Sequence, residues 1–116
     1  MAVKAEGSKK VDCLVLEVDY SKERPNEWTS TALRYARIRS RKLLIIALNG
    51  VADVVLADLR ALSANNIDFP VRLYEGRDLE EVVRAEKCNT YEVKTVDDMV
   101  NLTQRIHVGD EKALGA

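Results

Sequence analysis

Short apolar segments alternate with stretches of helical periodicity along the chain, and few folds accommodate this alternation. The segments "VDCLVLEVD" (11–19) and "KLLIIALNG" (42–50) have the length and the Val, Leu and Ile content of strands buried on both faces. "FPVRLYEG" (69–76) is a third predicted strand. In "NTYEVKTV" (89–96), apolar and polar residues alternate, which predicts a fourth strand at the edge of a sheet.

Between these segments and after the last one, apolar residues recur every three or four positions, which predicts helices. The predicted helices span residues 26–39, 53–64, 78–88 and 97–108. The order βαβαβαβα predicts a single α/β domain of the doubly wound, Rossmann-like class, with a parallel four-stranded sheet. By analogy with that class, we expect the strand order 3-2-1-4.

The length of 116 residues suits one domain with one core. We expect a disordered leader over 1–10, the α/β domain over 11–108 and a tail over 109–116. The formal net charge of −1 provides no global field that would attract nucleic acid or an anionic membrane. The leader has no hydrophobic segment, and no apolar run approaches the roughly 20 residues that span a bilayer. We therefore expect a cytoplasmic protein that does not associate with membranes.

The chain offers few residues for metal binding or acid–base catalysis. His107 is the only histidine, so the usual His/Cys metal clusters are nearly excluded, and a histidine-based triad would depend on one residue near the tail. Because disulfides are rare in the cytosol, we expect Cys13 and Cys88 to be two buried thiols. We predict no catalytic residue, metal or cofactor, and we favour a non-enzymatic protein over an enzyme.

The carboxyl ends of the predicted strands form the first candidate site, since open α/β sheets bind ligands at that edge. The residues there that could contact a small molecule are Asp19, Ser21, Asn49, Gly50 and Gly76. The two glycines allow a ligand to approach the backbone, although a tight turn is the more frequent reason for a glycine. Neither G-x-G-x-x-G after a strand nor G-x-x-x-x-G-K-[ST] occurs, so the known phosphate-binding loops are absent from the sequence.

The order and spacing of several segments resemble the universal stress protein family over residues 11–96. "LVLEVDYS" is similar to that family's first strand, "STALRYARIRS" to its first helix and "LLIIALNG" to its second strand. "VLADLRALSANNIDFPVRLYEGRDLEEVVRAEKCN" is similar to the second helix, the third strand, the G-D-x-x-x-x-I turn and the third helix. The resemblance implies the α/β fold of this adenine-nucleotide-binding superfamily and a regulatory role connected with stress.

Only one half of the family's nucleotide site has a match in this chain. Many members bind ATP through an acidic residue that ends the first strand, which Asp19 matches, and through a G-x2-G-x9-G-[ST] loop after the fourth strand. Here "DDMVNLTQRI" follows the fourth strand, and Asp97 and Asp98 would repel a triphosphate. The resemblance thus implies a binding or regulatory domain without ordinary ATP binding.

The family's fifth strand, which often serves in dimerisation, has no clear counterpart, because "IHV" (106–108) is short. The fourth predicted strand is then an edge, and exposed edges pair readily with other chains. We expect a homodimer that forms through this strand or through the last helix.

A basic cluster in "RYARIRSRK" (34–42) supports an alternative function. Its cations are Arg34, Arg37, Arg39, Arg41 and Lys42. Three of them, Arg34, Arg37 and Arg41, share a helix face from which they could contact the phosphates of a nucleic acid. We favour the interpretation that the cluster is a solvated helix face, whose cations interact favourably with the helix dipole near its C-terminus. We keep nucleic-acid binding as the alternative.

A second alternative comes from Glu92 and Lys94, which form an E-x-K pair on the fourth predicted strand. In nucleases of the restriction-endonuclease type, the carboxylates bind Mg²⁺ and the lysine assists the attacking water. Those enzymes need a further acidic residue on a neighbouring, paired strand. That strand usually precedes the E-x-K strand in a β-hairpin. Here a predicted helix precedes instead, so we rank a metal-dependent nuclease below the other two functions.

Overall fold

The computed structural model describes residues 3–4, 10–22, 28–50, 53–65 and 68–107. This part of the chain forms five strands and four helices. From the second strand onward, strands and helices alternate. The elements are β1 (Val3–Lys4), β2 (Cys13–Val18), α1 (Thr29–Arg39), β3 (Leu43–Ala47), α2 (Asp53–Asn65), β4 (Val71–Glu75), α3 (Leu79–Ala85), β5 (Thr90–Thr95) and α4 (Val96–His107).

The strands form one parallel sheet in the order β1-β5-β2-β3-β4. The four predicted strands therefore lie in the predicted order, 3-2-1-4, and the doubly wound α/β class is confirmed. Leu16 at the centre of β2 lies opposite Ile45 of β3 and Lys94 of β5. Since β3 and β4 extend the sheet on one side of β2 and β5 lies on the other, the strand order reverses between β2 and β5.

Strand β1 is an addition to the predicted sheet. Val3 lies opposite Thr90, and Lys4 lies opposite Tyr91, so the first two residues of β5 have a neighbour on their outer side. These two residues belong to the segment that we expected to be a disordered leader, whereas residues 5–9 and the expected tail, 109–116, lie outside the described residues. The expected edge at β5 is thus covered at its start.

The two faces of the sheet carry unequal numbers of helices. On one face, Leu14 and Leu16 of β2 pack in a core with Trp28, with Ala32 of α1 and with side chains of α2 and α4. On the other face, the core side chains that helix α3 and the turn after it contribute are Val82, Val83 and Cys88. Within the described residues, one face therefore has three helices and the other has only α3, which is seven residues long.

Helix α4 begins with a reciprocal cap. The backbone N–H of Thr95 donates to Asp98 Oδ2 at 2.8 Å, and the backbone N–H of Asp98 donates to Thr95 Oγ1 at 3.3 Å. This pairing is a capping box in which Thr95 is the N-cap. The helix continues through Ile106 and His107, so these residues of the short "IHV" segment are helical rather than a strand.

Helix α3 ends earlier than the predicted boundary at Cys88. The N–H of Lys87 donates to the Arg84 carbonyl at 3.1 Å, and the N–H of Cys88 donates to the Val83 carbonyl at 2.9 Å. These two bonds define a Schellman motif, whose C′ residue must adopt the left-handed conformation. Lys87 occupies that position with φ of 57°.

Cys13 and Cys88 form a disulfide, so our prediction of two thiols is wrong, although both residues are buried. The Cα atoms are 6.0 Å apart, although 75 residues separate the two positions in the chain. The sheet brings them together, because Cys13 lies opposite Tyr91 at the start of β5, just after Cys88. The bond ties the loop after α3 to the central strand.

Candidate functional site

The carboxyl ends of β2, β3 and β4 lie together at one edge of the sheet. The N–H of Leu48, directly after β3, donates to the Val18 carbonyl at 2.9 Å, and the N–H of Gly76, directly after β4, donates to the Ala47 carbonyl at 2.9 Å. Asp19 follows β2 at the same edge. The predicted site residues that follow these three strands therefore share one edge of the sheet.

Asp19 is held as a carboxylate by its neighbours. Its Oδ1 accepts hydrogen bonds from the Ser21 hydroxyl at 2.6 Å and from the Ser21 backbone N–H at 3.0 Å. The Ser21 hydroxyl, followed by the Asn49 side chain, holds the pKa of Asp19 below its usual value. The Lys22 ammonium lies 4.0 Å from Oδ2. The structure thus brings together Asp19, Ser21 and Asn49, three of the five predicted site residues.

The two predicted glycines have conformational reasons to be glycine. Gly50 has φ of 82° and Gly76 has φ of 60°, values that side-chain-bearing residues rarely adopt. A Cβ atom on either residue would meet no other atom within 4 Å. The glycines therefore make the turns after β3 and β4, and the space beside them is open.

Two aromatic side chains of the core, Tyr20 after β2 and Trp28 before α1, were not among the predicted site residues. The rings of Tyr20 and Trp28 have centroids 6.1 Å apart, and Trp28 is 1% exposed. In the described structure, the Tyr20 hydroxyl and the Trp28 indole N–H are both buried without a hydrogen-bond partner. Burial also raises the pKa of Tyr20, so the phenol stays protonated. Buried polar groups are nearly always hydrogen-bonded in folded proteins, so these two donors are unusual features of the core.

The start of α4 contributes negative charge to the same edge. Glu17 lies opposite Thr95, so Asp19 and the first residues of α4 leave the sheet at the same level. The first turn of α4 contains Asp97 and Asp98, and the Asp98 carboxylate caps the helix. A polyanion bound where the strand order reverses, between β2 and β5, would therefore meet the carboxylates of Asp19, Asp97 and Asp98. It would not meet the free backbone amides that a helix N-terminus usually offers to an anion.

Cations of the basic cluster, our alternative site for nucleic acid, contact several different carboxylates within the protein. Three of its cations form ion pairs: Arg37 with Asp68 at 3.1 Å, Arg39 with Glu92 at 3.7 Å and Lys42 with Glu86 at 2.9 Å. Arg34 and Arg41 are exposed. The cluster thus does not form one surface of cations available for phosphates, which argues against the nucleic-acid alternative.

Glu92 and Lys94 belong to an internal network between β5 and α1. The Tyr35 hydroxyl donates to Glu92 Oε1, and Lys94 Nζ lies 3.5 Å from the same oxygen. Arg39 Nη2 lies 3.7 Å from Glu92 Oε2. Helix α3 separates β4 from β5 in the chain, and the described residues contain no group of three His, Cys, Asp or Glu that could hold a metal. These findings argue against the nuclease alternative.

A second concave surface lies far from the predicted site, beside the end of α3. This cavity has a volume of about 620 Å³, and Arg84, Lys87 and Cys88 are among its lining residues. The sequence singled out none of these residues as a site, because they converge only through the turn after α3 and the disulfide.

Comparison with known protein families, with curated proteins and with solved structures found no match. The resemblance to universal stress proteins therefore rests on the sequence segments that carry it. Among the described helices, none is both long enough and apolar enough to cross a bilayer.

Proposed function

We propose that the chain is a non-enzymatic, regulatory binding domain that holds a small polar molecule at the carboxyl edge of β2. The observation that carries this proposal is the Asp19 carboxylate, which Ser21 and Asn49 keep ionised at this edge. These groups lie where open α/β sheets bind their ligands.

The charges at this edge define the chemistry of the ligand. Asp19 can accept hydrogen bonds from hydroxyl or amino groups of a ligand. Asp97 and Asp98 disfavour phosphates. We therefore favour an uncharged, hydroxyl-bearing ligand such as a nucleoside over a nucleoside triphosphate. The resemblance to an adenine-nucleotide-binding family supports adenosine as the first candidate.

The wider biological setting rests on the resemblance and on the edge of the sheet. A role in stress regulation is proposed from the resemblance, and a homodimer from the strand edge at β5. A cytoplasmic location belongs to the proposal only with a disulfide that persists in a reducing compartment, where such bonds are rare. The bound small molecule would regulate the protein by changing the stability of the Asp19 edge, because a ligand that binds only the folded state stabilises that state by mass action.

The proposal is tested by measuring the thermal midpoint and the heat of binding with adenosine and with ATP. We expect adenosine to raise the midpoint and to bind at least about tenfold more tightly than ATP, because the three carboxylates repel the triphosphate. In the Asp19→Asn variant, the adenosine effect should be lost, since the side chain loses its negative charge and one of its two acceptor oxygens becomes an NH₂ donor.

Asp53→Asn is the matched control, because Asp53 is an exposed carboxylate in the first turn of α2. This variant carries the same change of charge and should bind adenosine like the wild type. Binding of ATP as tight as that of adenosine, or unchanged adenosine binding in Asp19→Asn, would contradict the proposal.

A further inference from the structure

The cavity beside α3 joins two features that the carboxyl-edge site does not use: two exposed cations and the disulfide. It has a volume of about 620 Å³ and lies between the last turn of α3 and the start of β5. The lining residues that matter for its chemistry are Glu80, Arg84, Lys87, Cys88 and Asn89.

The wall of this cavity carries a net positive charge. Arg84 and Lys87 are exposed, and neither forms an ion pair within the described part of the chain, whereas Glu80 is the single acidic residue of the lining. By contrast, Arg37 and Lys42 elsewhere on the protein are paired with carboxylates. The two cations at the cavity are therefore available to an anionic ligand.

The turn after α3 places Cys88 in the cavity wall, which also includes Arg84 and Lys87. Lys87 has φ of 57°, and the N–H of Cys88 donates to the Val83 carbonyl at 2.9 Å. Cys88 lines the cavity, and its disulfide partner Cys13 does not. A reagent in the cavity would reach the bond through Cys88, which is 3% exposed, and Cys13, which is 1% exposed and does not line the cavity, would provide the leaving sulfur.

We propose that this cavity binds a small anionic thiol, which carries a carboxylate or a sulfonate, and that the bound thiol opens the Cys13–Cys88 disulfide. Arg84 and Lys87 hold the anionic group, and the thiolate sulfur attacks Cys88 Sγ. The class of ligand follows from the wall, because a disulfide sulfur reacts with thiolates and the two cations select for negative charge.

The exchange proceeds in two steps. In the first, the ligand sulfur forms a bond to Cys88 Sγ while the Cys13–Cys88 bond breaks, and the electron pair leaves on Cys13 Sγ, which takes a proton from water. In the second, another ligand thiolate attacks the ligand sulfur of the mixed disulfide and releases Cys88 as a thiolate. Two ligand thiols are oxidised to one disulfide, and one protein disulfide is reduced to two thiols.

Reduction alters the attachment of α3 to the sheet. This seven-residue helix is the only described helix on its face, and the disulfide ties the loop that follows it to β2. Opening the bond leaves α3 with its apolar contacts through Val82 and Val83 and with the ion pair of Lys42 and Glu86. The proposal does not depend on ligand binding at the Asp19 edge.

The test compares three small thiols of different charge on the folded, oxidised protein. The reagents are 2-mercaptoethanesulfonate, 2-mercaptoethanol and cysteamine at equal thiolate concentration, with alkylation of the freed cysteines and intact-mass detection. The chain has two cysteines, so the mass change reports only this disulfide. We expect the anionic reagent to react about tenfold faster than the cationic one at low salt, and high salt should reduce the difference.

The double variant Arg84→Gln, Lys87→Gln should lose this preference for the anionic thiol. Its matched control is Arg34→Gln, Arg41→Gln, which removes two exposed cations from another surface and should keep the preference. Any one of four results would overturn the proposal. Two concern the wild type: equal rates with the three reagents, or a disulfide that opens only in denaturant. The other two concern the variants: a preference for the anionic thiol that survives in the cavity variant, or an equal loss of that preference in both double variants.

Discussion

The hydroxyl of Tyr35 donates a hydrogen bond to the carboxylate of Glu92, and this contact joins α1 to β5 across 57 positions of the chain. The same carboxylate lies near the cations of Arg39 and Lys94. Burial, followed by the contact with Glu92, raises the pKa of Tyr35, so the phenol remains a donor over the whole working range of pH. A pair that resembles a metal-binding motif in the sequence is thus a structural link in the fold.

Replacing Tyr35 by Phe should therefore destabilise the protein without changing its fold. The variant leaves a largely buried carboxylate with one donor fewer, and we expect the free energy of unfolding to fall by about 1–2 kcal/mol. Urea denaturation measures this change. Tyr91→Phe is the control, since Tyr91 is half-buried and its hydroxyl has no hydrogen bond among the described residues, and it should cost less than about 0.5 kcal/mol. Equal costs would contradict the role of the Glu92 contact.

The strands and their order follow from features that are local in the sequence. Cys13 to Leu16 and Leu43 to Ala47 are continuous apolar runs, and short runs of this kind are typical of strands buried on both faces. The alternation in β5 was also informative, but its polar side faces Tyr35 of α1 rather than solvent. The periodicity of a strand shows that its two faces differ in polarity, but it does not show which element covers each face.

The features that the sequence did not predict depend on three-dimensional proximity. A two-residue strand such as Val3–Lys4 has no periodicity to detect, and the Cys13–Cys88 bond joins segments that meet only through the register of β2 and β5. The unpartnered donors of Tyr20 and Trp28 are visible only once burial is known. The cavity beside α3 likewise arises from the turn at Lys87.

Removing the disulfide should lower stability through its effect on the unfolded chain. The bond closes a loop across 75 positions, and the double variant Cys13→Ala, Cys88→Ala should lose about 2–4 kcal/mol of unfolding free energy. Urea denaturation with and without a reductant measures the effect. The wild type should lose stability when the reductant is added, and the variant should not respond. An identical midpoint for oxidised and reduced wild type would contradict the assignment of the bond.

The acid sensitivity of the fold should depend in part on Glu86, which accepts hydrogen bonds from Lys42 and Tyr74. Burial alone would raise the pKa of Glu86, but these hydrogen bonds and nearby cations bring it below its usual value of 4.5. Since the folded-state pKa is the lower one, the contribution of Glu86 is present above pH 4.5 and is lost as the pH falls through the folded-state pKa.

The Glu86→Gln variant should consequently show a shallower loss of stability than the wild type between about pH 5 and pH 3. Its absolute stability at neutral pH should be lower, because Lys42 loses its charged partner. Glu81→Gln is the control, since Glu81 is exposed on α3 and should leave the pH profile unchanged. Parallel profiles for wild type and Glu86→Gln would show that Glu86 does not contribute to the acid transition.

Lys87→Gly should stabilise the end of α3. Lys87 adopts φ of 57° at the C′ position of the Schellman motif, where a side chain costs free energy that glycine does not. We expect an increase of about 0.5–1 kcal/mol in the free energy of unfolding. Lys87→Ala removes the same charge and retains the Cβ, so it should give no gain. If both variants gained equally, loss of charge rather than backbone conformation would be the cause.

The predicted homodimer is best sought at the outer side of β5. The other surface proposed for it, helix α4, already buries Val96 and Met99 within the protein. Among the described residues, β1 lies opposite only the first two residues of β5. Sedimentation velocity from about 1 to 100 μM should show a monomer–dimer equilibrium, since strand edges associate readily. Backbone amides of residues 92–95 should then exchange more slowly at high protein concentration, and those of β4, at the opposite edge of the sheet, should not change. A monomer throughout this range, or added protection at β4 alone, would contradict pairing through β5.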